Sequence, residues 1–306
     1  MSLLDVAVHG MRRGRSLVRI AVDAAKAFAQ DEPFELAAAL SYYTLLSMAP
    51  LLLIITGFAG FLLGQQEVQR ELIEQMRDLV GNEGASLMRT VINNASEPGT
   101  GVWSMIIGLS LTVLGATTVF SQLQVALNRI LGVEAAPANA VLGFLWTRLI
   151  AFGVVLGIGF LLLVSLILSA VLAAVNQYLD RYLPGAPLLW QMLNEALSLG
   201  MITVLIAALF KFVPNVRIAW RETWLGAFTT AILFTIGKVL IGIYLGQASV
   251  GSAYGAAGSA VVLMVWVYYA SLILFFGAEI TEVVARRRGV PVTPGPYARA
   301  RGRSAS

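Results

Sequence analysis

The sequence contains no cysteine and a single histidine, His9. Disulfides are thereby excluded, as are zinc sites built from Cys and His clusters within one chain. Charge is scarce as well. Asp, Glu, Lys and Arg make up 12% of the 306 residues, against about 25% in an ordinary soluble domain. No Walker A phosphate loop is present, so energy from ATP would have to come from a partner. Residues 1–35 hold Arg12, Arg13, Arg15, Arg19 and Lys26 but no compact apolar segment with a small-residue cleavage site. A cleavable signal peptide is therefore not expected, and the first span should direct insertion.

What fills the chain instead is apolar. Hydrophobic residues account for 58% of it, more than one water-facing core can hide, whereas a bilayer accepts them as an outer surface. The runs predict an all-α polytopic membrane protein. It is read as a bundle of six transmembrane helices, with spans at about 36–63, 101–120, 141–173, 195–213, 224–245 and 257–284. Residues 1–35 read as a cytoplasmic tail. Within it Leu17, Ala21, Ala24 and Phe28 oppose Arg19, Asp23 and Lys26, the pattern of an amphipathic helix on a membrane surface. Asp31-Glu32-Pro33 marks the next helix start. The polar excursion 64–100 carries a stripe of Val68, Leu72, Met76 and Leu79, which predicts one or two amphipathic helices over the outer mouth of the bundle. Residues 285–306 read as a basic, disordered cytoplasmic tail.

Basic residues set the orientation. With both termini inside, the cytoplasmic segments hold the two basic tails, Arg129, Lys211, Arg217 and Arg221, and the outside holds only Arg70, Arg77, Arg89 and Arg181. The reverse topology would oppose the positive-inside tendency.

Several polar or helix-breaking residues fall in the apolar layer. Pro50 interrupts the first span, where Ser41, Thr44 and Ser47 share a face. Thr117, Ser121, Gln124 and Asn128 form a polar ridge at the end of the second, expected to meet protein or water rather than lipid. Gly153 and Gly157 form a GxxxG step in the third. Pro214-Asn215 closes the fourth span. Lys238 lies about 21 Å along the fifth helix from Trp224, and Glu195 at the outer end of the fourth is the acid at matching depth. Such a lysine either snorkels outward or serves a substrate or ion site. Arg148 and Glu279 share a depth near the inner face, which predicts an ion pair acting as a structural clasp or a cytoplasmic gate. Tyr254 sits in the link GQASVGSAYGAAGS, either a plain external loop or a re-entrant segment facing a cavity.

Four segments, AAALSYYTLLSMAPLLL at 37–53, GVWSMIIGLSLTVLGATTVFSQLQVALNRI at 101–130, FKFVPNVRIAWRETWLGAFTTAILFTIGK at 210–238 and YLGQASVGSAYGAAGSAVVLMVWVYYASLILFFGAEIT at 244–281, resemble the YihY/BrkB family of bacterial inner-membrane proteins. The resemblance implies six helices and a multi-pass location in the bacterial cytoplasmic membrane. It places Tyr42, Pro50, Leu123, Asn128, Pro214, Asn215, Gly226, Lys238, Tyr244, Tyr254, Gly255, Trp266, Tyr268, Gly277 and Glu279 at the family's characteristic positions. Family members have carried the names "ribonuclease BN", a misassignment, and "virulence factor BrkB". Neither name supplies an activity with known chemistry.

A ribonuclease would need a metal cluster or an acid–base pair in water. His9 stands alone, and the acids on the cytoplasmic side are scattered. The expectation is a non-enzyme without catalytic, metal or cofactor residues. The leading reading is a transporter or lipid/solute permease without its own ATPase, and the alternative is a membrane scaffold or envelope-assembly protein. Expected partners are membrane lipids, with anionic inner-leaflet lipid at the basic tails, and a small-molecule or lipid substrate, but no specific nucleic acid. A permease should show a cavity reaching Lys238, and a scaffold should be packed solid there.

Overall fold

A computed structural model describes residues 19–95, 118–136, 187–247, 257–290, 292–295 and 298–301. Helix α1 spans 19–30. Glu32, with φ 53, turns the chain sharply into α2, Pro33–Leu63. The Leu36 amide donates to the Glu32 carbonyl at 3.3 Å. Pro33 thus takes the first helical position, where its missing N–H has no intrahelical partner to lose. Helix α2 continues through Pro50. Ser41 and Ser47 are buried on it, and Ser41 Oγ returns its proton to the Ala38 carbonyl at 2.8 Å.

Two short helices follow, α3 Gln65–Val80 and α4 Asn82–Ala95, each entered through a glycine of positive φ, Gly64 (93°) and Gly81 (85°). Their apolar stripes do not face lipid. Val80, Met88 and Ile92 are buried together with Met48 of α2 and with Val262 and Leu263 near the start of the last helix. Residues 96–100 of the excursion lie outside the described residues.

The described part of the second predicted span is α5, 118–130, which leads through Gly132 (φ 71) into β1, Val133–Ala135. The rest of that span and the whole third span, with Gly153 and Gly157, lie outside the described residues. Then come α6 Pro187–Phe212, β2 Val216–Arg217, α7 Trp220–Gln247, α8 Gly258–Arg287, β3 Thr293–Pro294 and β4 Ala298–Ala300. Glu195–Phe212, Trp220–Tyr244 and Gly258–Arg287 are long and apolar enough to cross a bilayer.

Helices α7 and α8 approach through a reciprocal pair of small residues. A Cβ on Gly226 would lie 1.7 Å from Thr281 Oγ1, and one on Gly277 would lie 1.7 Å from Thr230 Oγ1. Each threonine hydroxyl donates to the glycine carbonyl four residues earlier on its own helix, Thr230 to Gly226 at 2.7 Å and Thr281 to Gly277 at 2.9 Å. Each threonine thus fills the space left by the other helix's glycine. Small residues at a crossing let two backbones come close in an environment where apolar burial alone favours neither partner over lipid. The main core continues from this seam through Ala227, Ala231, Phe275 and Ala278 to Phe210 of α6 and Leu127 and Ile130 of α5.

Two expectations are refined at the end of the bundle that carries the tail. Of the α1 stripe, Ala24 and Phe28 pack on protein while Ala21 is exposed. Ala24 is buried against Ile280 and Val283 of α8, and the Phe28 and Phe276 rings meet edge to face at 5.5 Å. The tail read as disordered is paired over its described residues. Antiparallel β1–β4 sets Val133 opposite Ala300, and β2–β3 sets Val216 opposite Pro294. What orders it is backbone hydrogen bonding and charge, not apolar alternation, which is why the hydropathy pattern was silent there.

Candidate functional site

Where α6 ends, its last carbonyls lose their intrahelical partners, and Pro214 contributes no amide proton. The polar ridge of α5 meets this break. Gln124 Nε2 donates to the Val213 carbonyl at 2.8 Å, and the Asn215 amide donates to Asn128 Oδ1 at 2.7 Å. Gln124 and Asn128 are buried. The Asn215 carbonyl in turn accepts from the Gly295 amide at 2.8 Å, and a Cβ at Gly295 would lie 3.0 Å from that oxygen. Asn128 and Asn215 therefore do meet, in a clasp that joins α5, the α6–α7 connection and the tail.

Ion pairs surround the clasp. Arg301 reaches Asp31 at 3.6 Å and Glu134 at 3.7 Å, and Arg299 also reaches Glu134 at 3.3 Å. Arg129 pairs with Glu32, Arg287 with Asp23, and Arg288 with Glu222 at 3.2 Å. Most of these side chains are at least partly exposed, and such pairs contribute about 0–1 kcal/mol each. The Asp31 and Glu222 carboxylates are nearly sealed from solvent, at 8% and 5% exposure. For them, loss of the arginine would leave a buried charge.

Asp23 reports on the docking of α1. Its hydrogen bond from Arg287, reinforced by the charges of Arg287, Lys26 and Arg286, holds its carboxyl below the ordinary 3.8. A lowered folded value means the pair contributes fully above the ordinary value and is lost as pH falls through the lowered one. Protection of 19–30 from hydrogen exchange should therefore be flat from neutral pH down to 3.8 and fall only below it. In Asp23→Asn that acid step should be absent.

The remaining predicted positions are not gathered. Lys238 is exposed on α7 among exposed Ile236, Val239 and Leu240, and Glu195 is exposed on α6. The two form no ion pair among the described residues. Glu279 is fully buried on α8, while Arg148 and Tyr254 lie outside the described residues.

A groove of about 1150 Å³ between α6 and α7 had no counterpart among the sequence patterns. Its walls include Leu197, Gly200 and Val204 of α6 and Trp224 and Phe228 of α7, with Arg221 and Arg288 the charged groups on its lining. Lys238 is not among the lining residues. A Cβ on Gly200 would meet nothing within 4 Å, so the groove is open at that point. The steps of three and four from Leu197 to Val204 put these residues on one helix face, but a sequence does not say which face is left uncovered.

Long apolar helices with satisfied backbones and a basic, ion-paired end define an integral membrane protein. The sequence model of one family, described as Virulence factor BrkB, matches residues 24–301, and the chain belongs to that family. Similar curated proteins are each named UPF0761 membrane protein. The one from Alkalilimnicola ehrlichii is 29% identical over 91% of this chain and 62% of its own length. That from Delftia acidovorans is 26% identical over 83% of this chain and 59% of its own. That from Rhodospirillum centenum is 30% identical over 87% and 57%. The chain thus spans about six-tenths of the length of these relatives. No solved structure matches.

Proposed function

We propose that this protein is a permease for a lipid or other amphiphile. In this reading it crosses the bacterial inner membrane six times with both ends in the cytoplasm. The positive-inside tendency supports the orientation, because Arg129, Lys211, Arg217, Arg221 and the tail arginines gather at one end of the described helices. The observation that carries the function is the groove. At about 1150 Å³ it exceeds the roughly 300–1,000 Å³ usual for small-solute pockets. Its walls are chiefly aliphatic and aromatic, so it suits an acyl chain better than a hydrated ion. The path therefore runs along the walls of α6 and α7, whose lining does not include Lys238.

The test is movement of a fluorescent phospholipid between leaflets of proteoliposomes. The purified protein should accelerate it over empty vesicles. Gly200→Phe, which places a ring in open space, should slow it by about tenfold, equivalent to ~1.4 kcal/mol on the barrier. Lys238→Met should leave the rate unchanged.

A scaffold is the second reading. It is favoured by the use of Gln124 and Asn128 in backbone hydrogen bonds, since polar residues of a translocation path would be expected to face a cavity. Rates equal to those of empty vesicles for lipids, ions and small solutes would select it.

A further inference from the structure

We propose that the groove between α6 and α7 binds an anionic glycerophospholipid, with Arg221 holding the phosphate of the headgroup and the acyl chains running along Trp224, Phe228, Gly200 and Val204. This names the substrate class for the permease reading and rests on the same groove.

Charge complementarity selects the headgroup. Of the two guanidinium groups on the lining, Arg288 is matched by Glu222 at 3.2 Å. Arg221 is exposed and has no ion-pair partner among the described residues. Among the described residues the groove therefore carries one unpaired positive charge, on a side chain whose planar donors fit phosphate oxygens in pairs.

Depth selects a lipid over free phosphate. Arg221 is the second residue of α7, at the edge of the apolar stretch that begins at Trp220. Phe228 lies about 10 Å farther along the axis. A charged group at the edge and an apolar channel leading inward match the division between headgroup and acyl chains. Exposed Trp220 and Trp224 mark the same level, where indole rings favour the membrane–water boundary. Lys211 sits over the Trp220 ring at 5.3 Å, adding positive charge to that level.

The experiment uses the full chain in vesicles and reads Trp224 fluorescence as the difference between the protein and its Trp224→Phe variant. Lipids brominated on the acyl chain quench an indole that they touch. Brominated phosphatidylglycerol diluted into phosphatidylcholine should quench Trp224 at a mole fraction about tenfold lower than brominated phosphatidylcholine does, because the choline cation offsets the phosphate charge that Arg221 would hold. Arg221→Gln should abolish the preference, and Arg221→Lys should retain part of it, which separates loss of charge from misfolding. Inorganic phosphate alone should leave the quenching unchanged.

Equal quenching by the two lipids, or a preference that survives Arg221→Gln, overturns the headgroup assignment. If Gly200→Phe still removes quenching by both, the groove and the permease reading stand without it. Displacement of the lipid by inorganic phosphate overturns the lipid as occupant. Absence of Trp224-specific quenching by either lipid overturns both readings.

Discussion

Gly277→Leu is expected to be the most damaging single substitution in the described part of the chain. The first atom added at Gly277 already falls 1.7 Å from Thr230 Oγ1, 2.7 Å from its Cβ and 2.9 Å from its Cγ2. Threonine is short and its hydroxyl is engaged with the Gly226 carbonyl, so it cannot swing aside without losing that bond. The helices must separate, and Phe275, Ala278 and Ala231 lose their contacts with them. Overpacking of this kind costs about 1–3 kcal/mol, sometimes more. Leucine should reach the upper end or prevent accumulation of folded protein. Gly277→Ala and Gly226→Ala should be milder in the same direction. Gly242→Ala is the control: nothing lies within 4 Å of its added carbon, and alanine is up to about 1 kcal/mol better than glycine within a helix. Denaturation of the detergent-solubilised protein, followed by circular dichroism, would rank the set. A neutral Gly277→Leu would show that α7 and α8 do not cross here.

The second large effect is expected from Asn128→Leu. Leucine shares asparagine's branching, though it is bulkier, and cannot accept the Asn215 amide proton, which would then be left part-buried without a partner at a cost of about 1–3 kcal/mol. The damage should also spread. Asn215 is held on one side by Asn128 and on the other by Gly295, so a shift of the α6–α7 connection should loosen the tail. Limited proteolysis should cut within 292–301 faster in Asn128→Leu than in the parent. Gln124→Leu should act in the same direction, and the double variant should cost less than the sum, because both side chains serve one chain break. Strict additivity would mean that the two hydrogen bonds are independent.

How far these features can be read in advance depends on how local they are. The start of α2 is local, since an acid pair before a proline gives both a dipole partner and a free first position, and Pro33 begins the helix. The stripe of Val68, Leu72 and Met76 is local too, and 65–95 is helical apart from Gly81. The ridge at Gln124 and Asn128 was legible as turned from lipid toward protein or water, because amides in an apolar segment need partners, and both residues are buried. Which partners they find depends on a chain break 87 residues away at Asn215. The seam was hidden for another reason. Gly-x-x-x-Thr recurs at 226–230 and 277–281, yet small residues are common in apolar helices, and only the pairing of the two gives either one meaning. Lys238 is a different case. It drew attention as a charge inside a span, and its surroundings are exposed aliphatic side chains. The groove is a space rather than a residue, so no pattern announces it.

The strands β3 and β4 have a consequence for biogenesis. They pair with partners near residues 133 and 216, yet they leave the ribosome only after every described helix. Insertion of the helices therefore precedes closure of the bundle's basic end, and the two become separable events. A newly inserted molecule should pass through a stage at which its helices are seated while the α6–α7 connection awaits its final restraint. Quality-control proteases would have their window then, and a bulky domain fused directly after Arg301 would prolong it.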